Sequence, residues 1–254
     1  MLIAVDIGNT HTVMALFEGE NLNAHWRTAT AAEVTADEMW MVFRPFLDDA
    51  GISPGEIDAM VVGSVVPALT EVVHEVCSLR FGFDPLIVTC DLDLGIGIAV
   101  QPPEAAGADR LANAVAASRK YHTPAIVVDM GTATTFDVID TAGTYIGGVI
   151  APGVLTGSEE LFKRAARLAK VDIRPPDRVI GSTTQSSLRS GIYHGTLAMI
   201  DGMITRIVAE MESEPTIVFT GGLASLFESE FAKRGTLDAL LTLEGLRMIH
   251  ERVV

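Results

Sequence analysis

Two carboxylates carry most of the chemistry this sequence can do. Asp6 ends the apolar run Ile3-Ala4-Val5 and is followed by Ile7-Gly8-Asn9-Thr10-His11-Thr12. Asp129 ends Ile126-Val127-Val128 and is followed by Met130-Gly131-Thr132-Ala133-Thr134-Thr135. In each copy a β-branched strand delivers an Asp to a turn of glycine, hydroxyl and amide residues. A turn of that composition leaves its backbone N–H groups uncovered, and such groups form a concave surface that attracts anions. The carboxylate has the opposite preference and repels phosphate unless a divalent cation lies between them. Two carboxylates buried near each other without a cation would drive one pKa strongly upward. Alone, either Asp is an ordinary turn former. As a pair they point to a metal–nucleotide cleft.

Three further groupings contain reactive or ligand-binding residue types. In Gly107-Ala108-Asp109-Arg110 a carboxylate and a guanidinium leave a helix start on different faces. Asp109 could accept a proton from a substrate hydroxyl while Arg110 grips a substrate carboxylate through a bidentate fork. The simpler alternative for these four residues is a helix-cap Asp and a surface Arg. Gly181-Ser182-Thr183-Thr184 offers hydroxyls to a polar ligand, or caps the helix that follows. Gly221-Gly222 would let a flat base or a phosphate come close to the backbone. Absent are a Gly-x-x-x-x-Gly-Lys-Ser/Thr loop, a Gly-x-Gly-x-x-Gly after a strand and a Gly-x-Ser-x-Gly elbow. The six histidines have no metal-ligand spacing, and only His11 lies inside a candidate turn.

The elements that must position these groups follow from periodicity. Strands are expected at 2–7, 12–18 and 26–30, then a helix from Thr35 to about Ala50 that Pro45 should kink or divide. A strand at 59–63, a helix over 67–80 and a strand at 85–89 complete the first half. A helix carrying Leu111, Ala114 and Val115 towards Tyr121 holds the domain boundary, giving domains 1–117 and 118–254. The second half should contain a hairpin through 140–144, a loop over 147–153 and a helix with Leu161, Ala165 and Leu168. A long helix from Ser190 to about Met211, a strand at 217–219 and a closing helix at 243–253 follow. Met60-Val61-Val62-Gly63-Ser64 in the first half is echoed by Ile217-Val218-Phe219-Thr220-Gly221 in the second. Two echoes in the same order imply duplication.

Composition narrows the function. The 254 residues are 48% apolar, enough for one large core or two ordinary ones. A formal net charge of −15 argues against a nucleic-acid or anionic-membrane surface, which would need clustered Lys and Arg. With four lysines, the chain must hold an anionic substrate by Arg, backbone turns, helix N-termini or metal. The start has no basic region of a signal peptide, no apolar run would span a bilayer, and Cys77 and Cys90 lack metal-binding spacing. The expectation is a cytoplasmic enzyme with reduced thiols.

The Asp6 and Asp129 motifs resemble the acetate and sugar kinase/Hsp70/actin superfamily. That implies an α/β fold of two duplicated ribonuclease-H-like domains, each a mixed sheet flanked by helices, with the active site in the cleft between them. With Gly107-Ala108-Asp109-Arg110, Gly147-Gly148-Val149-Ile150-Ala151-Pro152-Gly153, Thr220-Gly221-Gly222-Leu223-Ala224 and the ending Leu241-Thr242-Leu243-Glu244-Gly245-Leu246, the sequence resembles type III pantothenate kinases over its full length.

The resemblance implies ATP-dependent phosphorylation of pantothenate to 4′-phosphopantothenate, which opens coenzyme A synthesis. By the same resemblance Asp6, Ile7, Gly8, Asn9, Thr10, His11, Thr12 and Val13 would form the ATP phosphate turn, with Asp6 positioning ATP-bound Mg²⁺. Asp109 would be the general base. Val100, Gly107, Ala108, Asp109, Arg110 and Thr184 would line the pantothenate pocket, and Thr132 would contact ATP. Asp129 would hold a monovalent cation, K⁺ or NH₄⁺, and the enzyme would be a homodimer whose partner completes the pocket. The sequence departs from the family at Val100-Gln101-Pro102-Pro103, where a Tyr-x-Asn-Pro segment is common, and at Thr183, where an Asn is usual. The stretch Leu155–Glu160 also matches poorly. These departures leave open a kinase for another small acceptor, or a nucleotide-binding regulator without catalysis.

Overall fold

The computed structural model describes residues 1–165 and 168–254. Its contacts divide the chain into two units, Met1–Arg119 with Leu241–Val254, and Lys120–Leu240. In the first, strands β1 (Leu2–Ile7), β2 (His11–Glu18), β3 (Asn21–Ala29), β4 (Ala59–Ser64) and β5 (Leu86–Ile87) form a sheet in the order β3-β2-β1-β4-β5. In the second, β6 (Ala125–Met130), β7 (Ala133–Ile139), β8 (Tyr145–Pro152), β9 (Thr216–Thr220) and β10 (Thr236–Leu237) form a sheet in the order β10-β9-β6-β7-β8. Renumbered from its own first strand, the second order is the first one reversed in the listing, so the two topologies are the same. In each, an antiparallel meander of three strands is extended by two parallel strands. Two mixed sheets flanked by helices are the architecture expected of duplicated ribonuclease-H-like domains.

Alternation along β1 divides the first unit. Ile3, Val5 and Ile7 join Met14, Leu16, Met60 and Val62 in a core covered by α1 (Ala36–Ala50) and α2 (Pro67–Arg80). Burying each of these large side chains contributes about 1.5–3 kcal/mol. The opposite face carries Ala4, Ala15, Gly63 and Asp6, because register partners across neighbouring strands point the same way. On that face Gly63 is filled by Leu246, whose Cδ2 lies 2.9 Å from where a Cβ would stand. Leu246 belongs to α7 (Leu241–Val253), which packs on β1, β2 and β4. The closing helix thus belongs with the first unit, where contiguous domains of 1–117 and 118–254 would have put it in the second. Its apolar stripe of Leu243, Leu246 and Ile249 looks the same whichever sheet it covers.

α7 also meets α3 (Ala108–Lys120), which is buried continuously from Leu111 to Ala117. Thr242 donates its hydroxyl to Asn113 Oδ1 at 2.8 Å, and a Cβ on Gly245 would fall 2.1 Å from the Ala112 carbonyl oxygen. In the second unit, Ile126, Val128, Met130, Phe136 and Phe219 pack against Tyr193, Leu197 and Ile200 of α5 (Thr184–Val208) and against Phe227 and Phe231.

Four local expectations differ from the structure. Pro45 does not divide α1: it sits on the exposed side, where water can satisfy the freed Met41 carbonyl, while Met39, Phe43 and Leu47 anchor the buried stripe. The segment 147–153 is mostly strand, not loop; as an edge strand β8 tolerates both its glycines and its terminal Pro152. α5 starts at Thr184, earlier than Ser190, because Thr183 and Ser186 form a reciprocal capping box. α4 (Val154–Arg164) stops short of the expected run through Leu168, of which residues 166 and 167 lie outside the described residues.

The α3–α7 contact is close enough to be tested by a single methyl group. Gly245→Ala is expected to cost about 2–3 kcal/mol, lowering the melting temperature by roughly 5–10 °C. An unchanged circular-dichroism melt would show that the two backbones do not approach this closely.

Candidate active site

In the first unit, Asp6 and Ile7 end β1, Gly8, Asn9 and Thr10 form the turn, and His11, Thr12 and Val13 open β2. The turn is closed by Gly8 N–H donating to His11 O at 3.0 Å. It is held from outside by Thr30, at the end of β3. Thr30 N–H donates to Thr10 O at 2.9 Å, and its hydroxyl donates to Gly8 O at 2.7 Å. With that proton committed, Thr12 Oγ1, 3.0 Å away, must be the donor to Thr30 Oγ1. Thr30 therefore fixes the loop on which Asn9, Thr10 and His11 stay exposed. Nothing in the local sequence marks it, since its role depends on the three-strand register.

Asp109 reaches the same end of the same sheet. Asp6 is the register partner of Gly63 in β4, and a Cβ on Gly63 would lie 3.6 Å from Ala108 Cβ. Asp6 and the start of α3 thus stand on either side of a strand position that has no side chain. Asp109 is half-buried in the first turn of α3. Its Oδ1 accepts from Arg110 N–H at 2.9 Å, the one hydrogen bond to this carboxylate among the described residues. Gly107 leaves room for it: a Cβ there would be 2.5 Å from Asp109 Oδ1. Val100 lines an open cavity of about 630 Å³ with Ile98, Ala99, Gln101, Pro102 and Pro103.

The second unit repeats the arrangement with changes. Asp129 stands in β6 one residue before its end, opposite Thr135 of β7 and beside Thr220 of β9. Its turn is one residue shorter: Met130 pairs with Thr134, whereas Ile7 pairs with Thr12. Gly131 N–H donates to Ala133 O at 2.9 Å. Thr132, exposed at the tip, has its carbonyl bound by the Thr156 hydroxyl at 2.7 Å and covered by Gly153, where a Cβ would lie 2.3 Å from the same oxygen. Gly221, with φ +90°, presses on Asp129, and a Cβ there would sit 2.3 Å from Oδ1. This is the position of the double glycine noted in the sequence, and its close approach is to the carboxylate. Thr184 opens α5 and faces a cavity of about 720 Å³ shared with Leu161, Ser187, Leu188 and Ile192.

The sequence model of type III pantothenate kinases matches residues 2–206. The chain belongs to the type III pantothenate kinase family. A curated type III pantothenate kinase of Rhodospirillum rubrum is 46% identical over 253 residues, covering 99% of this chain and 98% of that one. That of Halalkalibacterium halodurans is 41% identical over the whole of both chains. Among solved structures the fold is shared with a Baf family transcriptional activator from Campylobacter jejuni, at 18% identity, a TM-score of 0.62 and 98% coverage of each chain. It is shared also with the activator of 2-hydroxyisocaproyl-CoA dehydratase from Clostridium difficile with bound ADPNP, at 11% identity, a TM-score of 0.53 and coverage of 98% and 94%. Among the described residues no helix is long and apolar enough to cross a membrane.

The first turn carries a titration that can be read directly. Partial burial, and then the positive charge of Arg27, hold the His11 imidazole below its ordinary value of 6.5. It is therefore neutral at pH 7 and resists protonation in the folded protein. The stability it contributes is present above the unfolded value and is lost as the pH falls through the folded one. Proton NMR should give a His11 midpoint below 6.5 that rises, without reaching 6.5, in Arg27→Gln. No rise would remove the Arg27 charge as a cause.

Proposed function

We propose that this kinase phosphorylates pantothenate with Asp109 as the general base. The observation that supports the role most directly is the placement of Asp109. Its carboxylate stands at the end of the sheet that carries the Asp6 turn, with a single backbone donor on one of its oxygens. A primary alcohol is a poor nucleophile until a base accepts its proton as the new P–O bond forms. The proton passes to Asp109, the γ-phosphoryl group passes from ATP to the 4′ oxygen, and ADP leaves. Phosphoryl transfer of this kind depends on alignment and charge neutralisation more than on covalent help from the protein.

The remaining residues align and neutralise. The Gly8–His11 turn supplies backbone N–H groups to the ATP phosphates, and Thr132, on the turn pinned by Gly153 and Thr156, adds a second contact. Asp6 would hold the Mg²⁺ that ATP brings, which neutralises phosphate charge. Gly63, the register partner of Asp6 on β4, places no side chain beside it. Arg110 pairs with the pantothenate carboxylate beside Gly107 and Ala108, and Val100 and Thr184, each lining a cavity of its own, are the further substrate contacts of this reading. Asp129 would hold the monovalent cation, K⁺ or NH₄⁺, adding positive charge in a chain with four lysines. The working form is a homodimer in which the partner subunit closes the substrate pocket.

Asp109→Asn keeps the shape and removes the base, so kcat should fall by about 10²–10⁴-fold while ATP still binds. Turnover near that of the parent enzyme would sink the assignment. In a separate assay at constant ionic strength, phosphorylation of pantothenate should proceed in KCl and collapse in NaCl. Equal rates in the two salts would retire the role given to Asp129.

A further inference from the structure

The two halves of this chain share a topology, but they surround their carboxylates differently. Asp6 is flanked in register by Val13 on β2 and Gly63 on β4, neither of which has a side-chain oxygen. Asp129 is flanked by Thr135 on β7 and Thr220 on β9. Register partners on adjacent strands project to the same face with Cβ atoms about 4.5–5.5 Å apart. Around Asp129 the sheet therefore presents three oxygen-bearing side chains in a row, and around Asp6 only one.

Thr220 has no packing reason to be a threonine. It is 1% exposed, and its hydroxyl has no hydrogen-bond partner in the structure. Leaving a buried hydroxyl unsatisfied costs about 1–3 kcal/mol, a cost that valine of the same shape would avoid in a strand reading Thr216-Ile217-Val218-Phe219. An orphaned acceptor beside a carboxylate suits a cation. Neutral hydroxyl oxygens add ligands without adding charge, so a site with one carboxylate balances one positive charge. Gly221 strengthens the case by keeping the backbone against Asp129 Oδ1, where any side chain would collide with the carboxylate.

We infer that Thr220 is a ligand of the monovalent cation held by Asp129, with Thr135 as a weaker, half-buried ligand on the other side. The inference rests on the reading of Asp129 as the cation carboxylate. It adds the neutral donors that set charge selectivity. The duplication has thus given the second half a cation site flanked by two hydroxyls, where the first half has Val13 and Gly63 beside its carboxylate.

The test is a thermal melt of the full chain with ATP and Mg²⁺, titrated with KCl against NaCl at constant ionic strength, beside the KCl dependence of turnover. The parent protein should gain stability with KCl. Thr220→Val should melt at the same temperature or higher in NaCl, since an unsatisfied hydroxyl has been removed, yet need on the order of tenfold more KCl for the same shift. Thr220→Ser should keep the parent response, and Thr135→Val should lose a smaller part of it. If Thr220→Val keeps the parent's KCl midpoint while Asp129→Asn loses the response, the threonine is not a ligand and the reading of Asp129 survives. A KCl response that persists in Asp129→Asn, or is missing from the parent, overturns both.

Discussion

A carboxylate at the end of a buried central strand has to be accommodated by the residues packed around it. In the first unit the face that carries Asp6 is built from Ala4, Ala15 and Gly63, and Leu246 of α7 fills the space that Gly63 leaves. In the second, Gly221 adopts φ +90° and lies so close to Asp129 that any Cβ would strike its Oδ1. Glycine, the residue that loses most conformational freedom on folding, thus stands beside both carboxylates. The supporting hydrogen bonds follow from the same need. Once the turn beyond each carboxylate has little side-chain packing of its own, it must be fixed from outside, by Thr30 in one half and by Gly153 and Thr156 in the other.

The halves then diverge where their chemistry does. The longer first turn leaves four residues between the last register pairs, Ile7 with Thr12, and the second leaves three, Met130 with Thr134. The longer loop leaves Asn9, Thr10 and His11 exposed. The shorter one is covered by its neighbours and leaves a single tip residue, Thr132, outside. Asp109 is the second residue of α3, which follows β5 as α7 follows β10, and the second residue of α7 is Thr242. Duplication supplied the frame, and the two copies of its closing helix differ at that position.

Much of this was legible in the sequence because it is local. The Asp-Gly-Thr turns, the Thr35 cap of α1 and the strand runs of β1, β4 and β6 each follow from a few adjacent residues. The family motifs fixed the order of the elements. What was not legible depends on register between strands far apart in the chain. Thr30 looks like any β-strand threonine until it is seen spanning Gly8, Thr10 and Thr12. Thr220 stood inside a recognised motif, but only its pairing with Asp129 separates it from a packing residue. The stripe on α7 states that a face is buried and says nothing about which sheet buries it. The glycines of β8 signalled a loop because local propensity is weak evidence at a sheet edge.

The return of α7 to the first unit makes the order of synthesis matter. Residues 120–240 form an unbroken stretch and can assemble as soon as they have left the ribosome. The first sheet is made earlier but stays unfinished, because Ala4, Ala15 and Gly63 await a helix whose residues begin at Leu241. Until then that face is a shallow apolar trough open to other chains, and the pocket filled by Leu246 is vacant. The half of the protein that is translated first is thus the half completed last, and the contact that completes it spans more than 170 residues of chain, from Gly63 to Leu246. Closing so long a loop is slow relative to local pairing, so the docking of α7 sets when the first unit is finished.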